Sequence, residues 1–315
     1  MLINLIQAIA KLKAGEVVAI PTETVYGLAA DACNESALRQ IYAVKQRPAN
    51  NPLIVHILDV AQVLDWAAEF SPLAQTLAKA FWPGPFTLVL PALNSVSAIV
   101  RANEPTVALR VPSHALTLQL LKQSGLALAA PSANKYTQLS PTTAAHVVVG
   151  LGDEIAVLDG GACQVGIEST IVSVAGDNWQ LLRHGMITEA QISAVAGKPA
   201  MLGAASVPKA PGQHILHYSP KTPLKLFDDL AGLINFQQNS RQTCAALIID
   251  DNPPPSLSFN RIYLPKKNAE VAEHLYDALH RLDALNVAQL LVLKPPNTPE
   301  WLAILDRLNR AARDD

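Results

Sequence analysis

The chain has 315 residues, half of them apolar and 16% charged, with a formal net charge of -2 and a mean hydropathy of +0.20. That length suits two domains, and that composition excludes a disordered chain and a globally basic nucleic-acid binder. No apolar run reaches the roughly 18 residues of a membrane span, and three distant cysteines without a CxxC pair argue for a reducing cytoplasm over a disulfide scaffold or zinc ribbon.

In chain order, the apolar start, with Gln7 and Lys11 at helical spacing, predicts an amphipathic first helix and not a signal peptide. Glu16 to Ile20 reads as a strand ended by Pro21. Asn34 caps a helix through Ala37, Leu38, Ile41 and Val44, which delivers Lys45 and Arg47 at its C-terminal end. Leu53 to Ile57 is strand-like, and Ser71-Pro72 opens a helix to about Trp82. Phe86 to Leu90 and Val107 to Val111 are strands, Ser113 to Gln123 a helix, and Leu126 to Ala130 a buried strand. Ser140-Pro141 repeats the cap-plus-proline helix start. Ile155 to Leu158, Ser169 to Val174 and Trp179 to Leu182 complete a large sheet, so the fold class is α/β or α+β with a mixed sheet. From Lys198 to Leu224 five prolines predict an extended linker. Beyond it, strands at Cys244 to Ile249 and Gln289 to Leu293 alternate with helices at Ala269 to Ala284 and Pro299 to Ala312, which predicts a small three-layer α/β domain.

The polar residues fall in islands. Thr22, Glu23, Thr24 and Gly27 follow a strand end, where ligand contacts gather, although capping a helix would use the same residues. Lys45-x-Arg47-Pro48-x-x-Asn51-Pro52 sets two cations at a helix end, with prolines that restrict the arginine. His56 lies mid-strand, where a core role is the commoner one. Thr106 and Arg110 share one face of a strand. Ser132-Ala133-Asn134 ends another strand, Ser140 follows, Gly166 to Thr170 approaches a further strand, and Arg183 closes the next. Four cations (Lys45, Arg47, Arg110, Arg183) from separate strands point to a polyanionic ligand. Neither a GxxxxGK[ST] nor a GxGxxG loop is present. His214 and His217 lack a third ligand, so no metal is expected on protein side chains.

Through PTETVYGL, KQRPANNPLIVHI, FWPGPFTLVL, VALRVP, APSAN, LSPT, GIESTIV and APGQHILHYSPKTPL, the sequence resembles the YrdC/Sua5 family, the threonylcarbamoyl-AMP synthases, in the long Sua5 form. The resemblance implies a YrdC-like catalytic domain over 1–200, a linker over the active site at 201–224 and a Sua5 C-terminal domain at 225–315. It implies synthesis of threonylcarbamoyl-AMP and pyrophosphate from L-threonine, bicarbonate and ATP, with Mg2+ on the triphosphate, for the t6A modification of tRNA. Threonine recognition then falls on Thr24, His56, Thr106, Arg110 and Ser169. ATP contacts fall on Arg47, Asn51, Ser132, Asn134, Ser140, Arg183 and Tyr218, with Lys45 and Arg47 as the catalytic cations. Where many relatives carry a hydroxyl before the SAN turn, this chain has Ala129-Ala130-Pro131, so a threonine contact there uses backbone. Implied partners are the three substrates, a downstream t6A transferase complex and a weakly bound tRNA, with no membrane. An RNA-binding module of this fold and a carbamoyltransferase are the competing readings. The near-neutral charge counts against the first, and the lack of acylphosphatase-like and zinc-finger segments counts against the second.

Overall fold

Two elements share the N-terminal residues that the sequence assigns to one helix. In the computed structural model, which describes residues 1–199, 208, 218–251 and 259–312, Leu2–Ile3 form β1 and Leu5–Lys13 form α1. Asn4 makes the break. Its side chain accepts from the Gln7 backbone, and the Gln7 side chain accepts from the Asn4 backbone. The predicted linker from Lys198 to Leu224 lies outside the described residues except for 198, 199, 208 and 218–224. The chain divides into two units, Met1–Tyr136 with Pro141–Gln213, and Thr137–Ser140 with His214–Asp315.

The first unit continues with β2 (Val18–Ile20), β3 (Gly27–Asp31), α2 (Glu35–Lys45), β4 (Ile54–His56), α3 (Pro72–Phe81), β5 (Phe86–Pro91), α4 (Ala98–Arg101) and β6 (Thr106–Arg110). Then come α5 (Ala115–Ser124), β7 (Leu128–Ala129), α6 (Ala144–Leu151), β8 (Ala156–Leu158), β9 (Thr170–Ala175), β10 (Asn178–Arg183) and α7 (Glu189–Ala196). Ten strands pair in the order β1-β8-β2-β3-β7-β4-β6-β5-β9-β10. The sheet is mixed, as predicted: β4 and β6 run parallel, β5 and β6 antiparallel, β5 and β9 parallel. Its inner strands are buried on both faces. Val18, Ile20 and Ala29 face α1 and α5, while Ala19, Leu28 and Ala30 pack with Leu38 and Ile41 of α2. Each buried Val, Leu or Ile of this set contributes about 1.5–3 kcal/mol, and each Ala about 0.8 kcal/mol.

This strand direction positions the site. The end of β6, the starts of β5 and β9 and the end of β10 meet on one edge, which brings Arg110, Gly84, Ser169 and Arg183 together.

Ser140-Pro141 does not open a helix. The Pro141 carbonyl accepts from Tyr26 N at 2.8 Å and the Thr142 carbonyl from Cys163 N at 2.9 Å. With those carbonyls engaged in cross-chain pairing, α6 begins only after Thr143, whose hydroxyl caps His146 N. The caps at Asn34 and Ser71 are as the sequence indicates.

The second unit contains β11 (Leu224–Phe227), α8 (Leu230–Asn239), β12 (Cys244–Ile249), β13 (Asn260–Leu264), α9 (Asn268–Asp283), β14 (Gln289–Leu293) and α10 (Leu302–Ala311). The strands are parallel in the order β11-β14-β12-β13. Leu233 of α8 packs on Ala246, Ile248 and Leu291. The alternate residues Ala245, Leu247 and Leu290 are equally buried and point to the other face, where α9 lies on β12 and β13. This is the expected three-layer α/β arrangement.

Candidate active site

The helix α2 ends where Gln46 turns left-handed, and the turn directs Lys45 inward and frees the loop that follows. Lys45 is buried, and its Nζ donates to the carbonyls of Ser132 and Asn134 at 2.5 and 2.6 Å. Tyr136 N returns a bond to the Lys45 carbonyl at 2.8 Å. One cation therefore organises the whole Ser132-Ala133-Asn134 turn, with one N–H of its ammonium left over. Burial, and then the charge of Arg47, push the Lys45 ammonium well below its ordinary value, with Glu168 opposing. Arg47 is also buried, donates to the Pro52 carbonyl at 3.1 Å and lies 6.0 Å over the Tyr136 ring. Asn51 sits in the same loop, its amide on the Pro48 carbonyl at 3.3 Å.

A second group forms where β4 and β6 end side by side, with His56 opposite Arg110. The Arg110 guanidinium donates NH2 to Glu23 Oε1 at 2.6 Å, NH1 to Thr24 Oγ1 at 3.0 Å and Nε to the Gly84 carbonyl at 3.2 Å. Glu23 Oε2 accepts from Ser113 N at 3.1 Å. Burial alone would raise the Glu23 carboxyl, but the Arg110 charge and hydrogen bond, with backbone N–H groups, hold it below its ordinary value. His56 is 2% exposed, and burial, then the Arg110 charge, push it down to about 3. It is a neutral ring, and its Nδ1 has no hydrogen-bond partner in the protein.

The third group lies on the neighbouring strands. Ser169 Oγ is shared between Thr87 Oγ1 at 2.8 Å and Arg183 NH2 at 3.1 Å, and Arg183 Nε donates to the Ser169 carbonyl at 3.0 Å. Arg183 thus holds the serine by main chain and side chain at once. Gly185 is required beside it, since a Cβ there would come within 2.6 Å of Thr170 Oγ1 and 2.8 Å of the Ser169 carbonyl carbon.

Thr24, His56, Arg110, Ser169, Arg183, Lys45, Arg47, Ser132 and Asn134 thus fall into linked groups of the first unit. Thr106 does not join them. It begins β6, four residues before Arg110, which places it about 13 Å away along the strand. Sharing a face is not proximity. Ser140 and Tyr218 belong to the second unit. The sequence places Glu23 and Glu168 in polar islands without assigning either a role, and the bond to Arg110 is what gives Glu23 one. Thr87, inside an apolar strand, carries no local signal.

Four buried cations (Lys45, Arg47, Arg110, Arg183) face only two buried carboxylates, Glu23 and Glu168, among the described residues of this unit. Such a set binds anions by position and charge. Cys163, whose thiol is pushed up to about 12 mainly by burial, is no thiolate nucleophile.

Comparison with known proteins identifies the family. A family model described as "Telomere recombination", covering the Sua5, YciO and YrdC proteins, matches residues 10–185. The model "Threonylcarbamoyl-AMP synthase, C-terminal domain" matches residues 187–313. The threonylcarbamoyl-AMP synthase of Bacillus subtilis is 41% identical over 97% of this chain and 92% of its own length. That of Pyrococcus abyssi is 35% identical over 96% and 92%. The crystal structure of P. abyssi Sua5 complexed with L-threonine superposes with a TM-score of 0.90 at 32% identity, covering 99% of this chain and 97% of that one. The chain belongs to the Sua5, YciO and YrdC family, in the form that carries the Sua5 C-terminal domain.

Proposed function

We propose that this chain is a threonylcarbamoyl-AMP synthase, making threonylcarbamoyl-AMP and pyrophosphate from L-threonine, bicarbonate and ATP. The observation that carries the reading is the buried constellation of Arg110, Thr24 and His56 beside a surplus of cations. The two guanidinium N–H groups beyond the three bonds to Glu23, Thr24 and Gly84, a hydroxyl and an orphaned imidazole nitrogen suit a small zwitterion. Lys45, Arg47 and Arg183 suit a triphosphate.

The chemistry needs no protein nucleophile. The threonine amine condenses with bicarbonate, losing water, to give a carbamate. A carbamate oxygen then attacks the α-phosphorus of ATP, and the bond to the bridging oxygen breaks to release pyrophosphate. Arg110, Thr24, His56 and Ser169 orient threonine. Arg47, Asn51, Ser132, Asn134 and Arg183 contact the nucleotide, and Lys45 fixes the turn that carries two of them; Ser140 and Tyr218 are assigned to ATP by the family resemblance. Positioning and charge stabilisation supply the rate. ATP enters as its magnesium complex. Magnesium typically keeps several of its waters and is held largely by the substrate phosphates.

The product serves a cytoplasmic t6A transferase acting on tRNA, and weak tRNA binding would accompany that hand-over. No helix among the described residues is long and apolar enough to cross a membrane. The test is pyrophosphate release from ATP with threonine and bicarbonate omitted in turn. Release that depends on both supports the synthase, and release indifferent to threonine refutes it.

A further inference from the structure

The second unit contains four residues from far earlier in the chain, Thr137–Ser140, and specific bonds fasten them there. Ser219 N donates to the Thr137 carbonyl at 2.8 Å, and Gln138 and Ser219 form a parallel bridge. His280 on α9 reaches the Ser140 carbonyl through Nε2 at 3.2 Å. A carbonyl only accepts, so this assigns the Nε2–H tautomer. At the end of α9, Asp283 accepts from Lys221 N and Thr222 N at 3.1 and 2.8 Å. Segments 137–140 and 218–222 are thus tied to each other and to one helix.

Tyr218 lies within this knot. It is 1% exposed and left-handed, with φ +62, a conformation that a bulky residue holds only when its surroundings over-determine it. Its ring covers the Arg307 guanidinium of α10 at 5.3 Å and packs 6.0 Å from the Tyr276 ring of α9. Arg307, itself 1% exposed and paired with Asp306 at 3.2 Å, is the only buried cation among the described residues of this unit. An apolar side chain would fill a core position without the desolvation of a guanidinium.

We propose that α9 and α10 position the two nucleotide-contacting residues of the second unit, His280 setting the Ser140 carbonyl and Arg307 setting the Tyr218 ring. The inference rests on the assignment of Ser140 and Tyr218 as ATP contacts in the synthase reading. His280 and Arg307 are then positioning residues, each acting through a contact inside its own unit.

The experiment compares full-length wild type, His280→Ala, His280→Gln and Arg307→Met. It reads the dissociation constant of magnesium ATP by calorimetry, KM for ATP and for threonine, and the thermal midpoint. His280→Ala should weaken ATP binding about 3- to 10-fold and leave KM for threonine within about two-fold, while His280→Gln, which can still donate, restores most of the loss. Arg307→Met should weaken ATP in the same direction. Should Arg307→Met fail to fold, the two His280 variants alone decide. Unchanged ATP affinity in His280→Ala would overturn the proposal. So would equal rises for ATP and threonine that His280→Gln fails to correct, since that marks general loosening. Failure of the synthase reading would show separately, as wild-type turnover independent of threonine, and the ATP dissociation constants would still be comparable.

Discussion

The two units treat their cations in opposite ways. In the first, Lys45, Arg47, Arg110 and Arg183 are buried, with backbone carbonyls and hydroxyls among their partners and only two buried carboxylates, Glu23 and Glu168, among the described residues of the unit. In the second, Lys266, Lys267, Arg281 and Lys294 lie at the surface, each opposite its own carboxylate. Arg307 is the buried exception, and it lies under Tyr218. Four buried cations against two buried carboxylates leave net charge for an incoming anion, whereas a surface pair leaves little. The first unit thus keeps a group of buried charges at some expense of stability, and the second, among its described residues, keeps only Arg307.

The largest expected effect comes from removing Arg110. Arg110→Met leaves Glu23 as a buried carboxylate with Ser113 N as its remaining named donor, and should destabilise the chain by about 3–5 kcal/mol. Adding Glu23→Met should recover much of that stability without recovering turnover. Chemical denaturation and pyrophosphate release separate the two. Stability that the double variant fails to regain would mean that the pair itself, and not the stranded charge, is what matters.

Next comes Lys45. Lys45→Met deprives the Ser132 and Asn134 carbonyls of their donor and should cost about 2–3 kcal/mol. It should also weaken ATP binding, because the SAN turn loses its brace. Full stability with ATP binding intact would show that the turn holds itself.

His56 sharpens the comparison through pH. Its folded value is about 3 against an ordinary 6.5, so below pH 6.5 the unfolded chain takes up a proton that the folded chain refuses. This contribution is complete above pH 6.5, falls by about 1.4 kcal/mol per pH unit on acidification, and levels off near the folded value. Between pH 6.5 and 5 the wild type should lose about 2 kcal/mol more than His56→Gln. Parallel curves for the two proteins would place the acid sensitivity elsewhere.

Much of this was legible in the sequence wherever the cause is local. Asn34 and Ser71 cap helices because their side chains meet nearby N–H groups, and Cys244–Ile249 is a strand because a short β-branched and aliphatic run has nowhere else to go. Ser140-Pro141 misled because distant donors, Tyr26 N and Cys163 N, take the carbonyls of residues 141 and 142. Strand β3, Gly-Leu-Ala-Ala-Asp, has small residues and no intrinsic strand signal; pairing with β2 and β7 makes it one. The site islands were visible as polar breaks in apolar runs. What joins them was not: Glu23 to Arg110 spans 87 positions and Lys45 to Asn134 spans 89. Thr106 illustrates the converse, a residue on the correct face at the wrong end of its strand.

The smallest expected effect tests the other side of the comparison. Lys294 pairs with Asp228 at 2.6 Å, with the aspartate 85% exposed, where β14 and β11 end. These residues line a crevice of about 550 Å³ together with Asp250, Lys266, Asn297 and Asn309, at the carboxyl ends of parallel strands, a place where α/β folds often bind ligands. If the pair is only a solvated surface contact, a double-mutant cycle over Lys294→Ala and Asp228→Ala should give a coupling of about 0.5 kcal/mol or less, fading with salt. Pyrophosphate release should not change. A salt-insensitive coupling above about 1.5 kcal/mol would be outside the range of exposed pairs. The cations of the second unit would then be organised as those of the first are, and the contrast between the two sheets would narrow to one of degree.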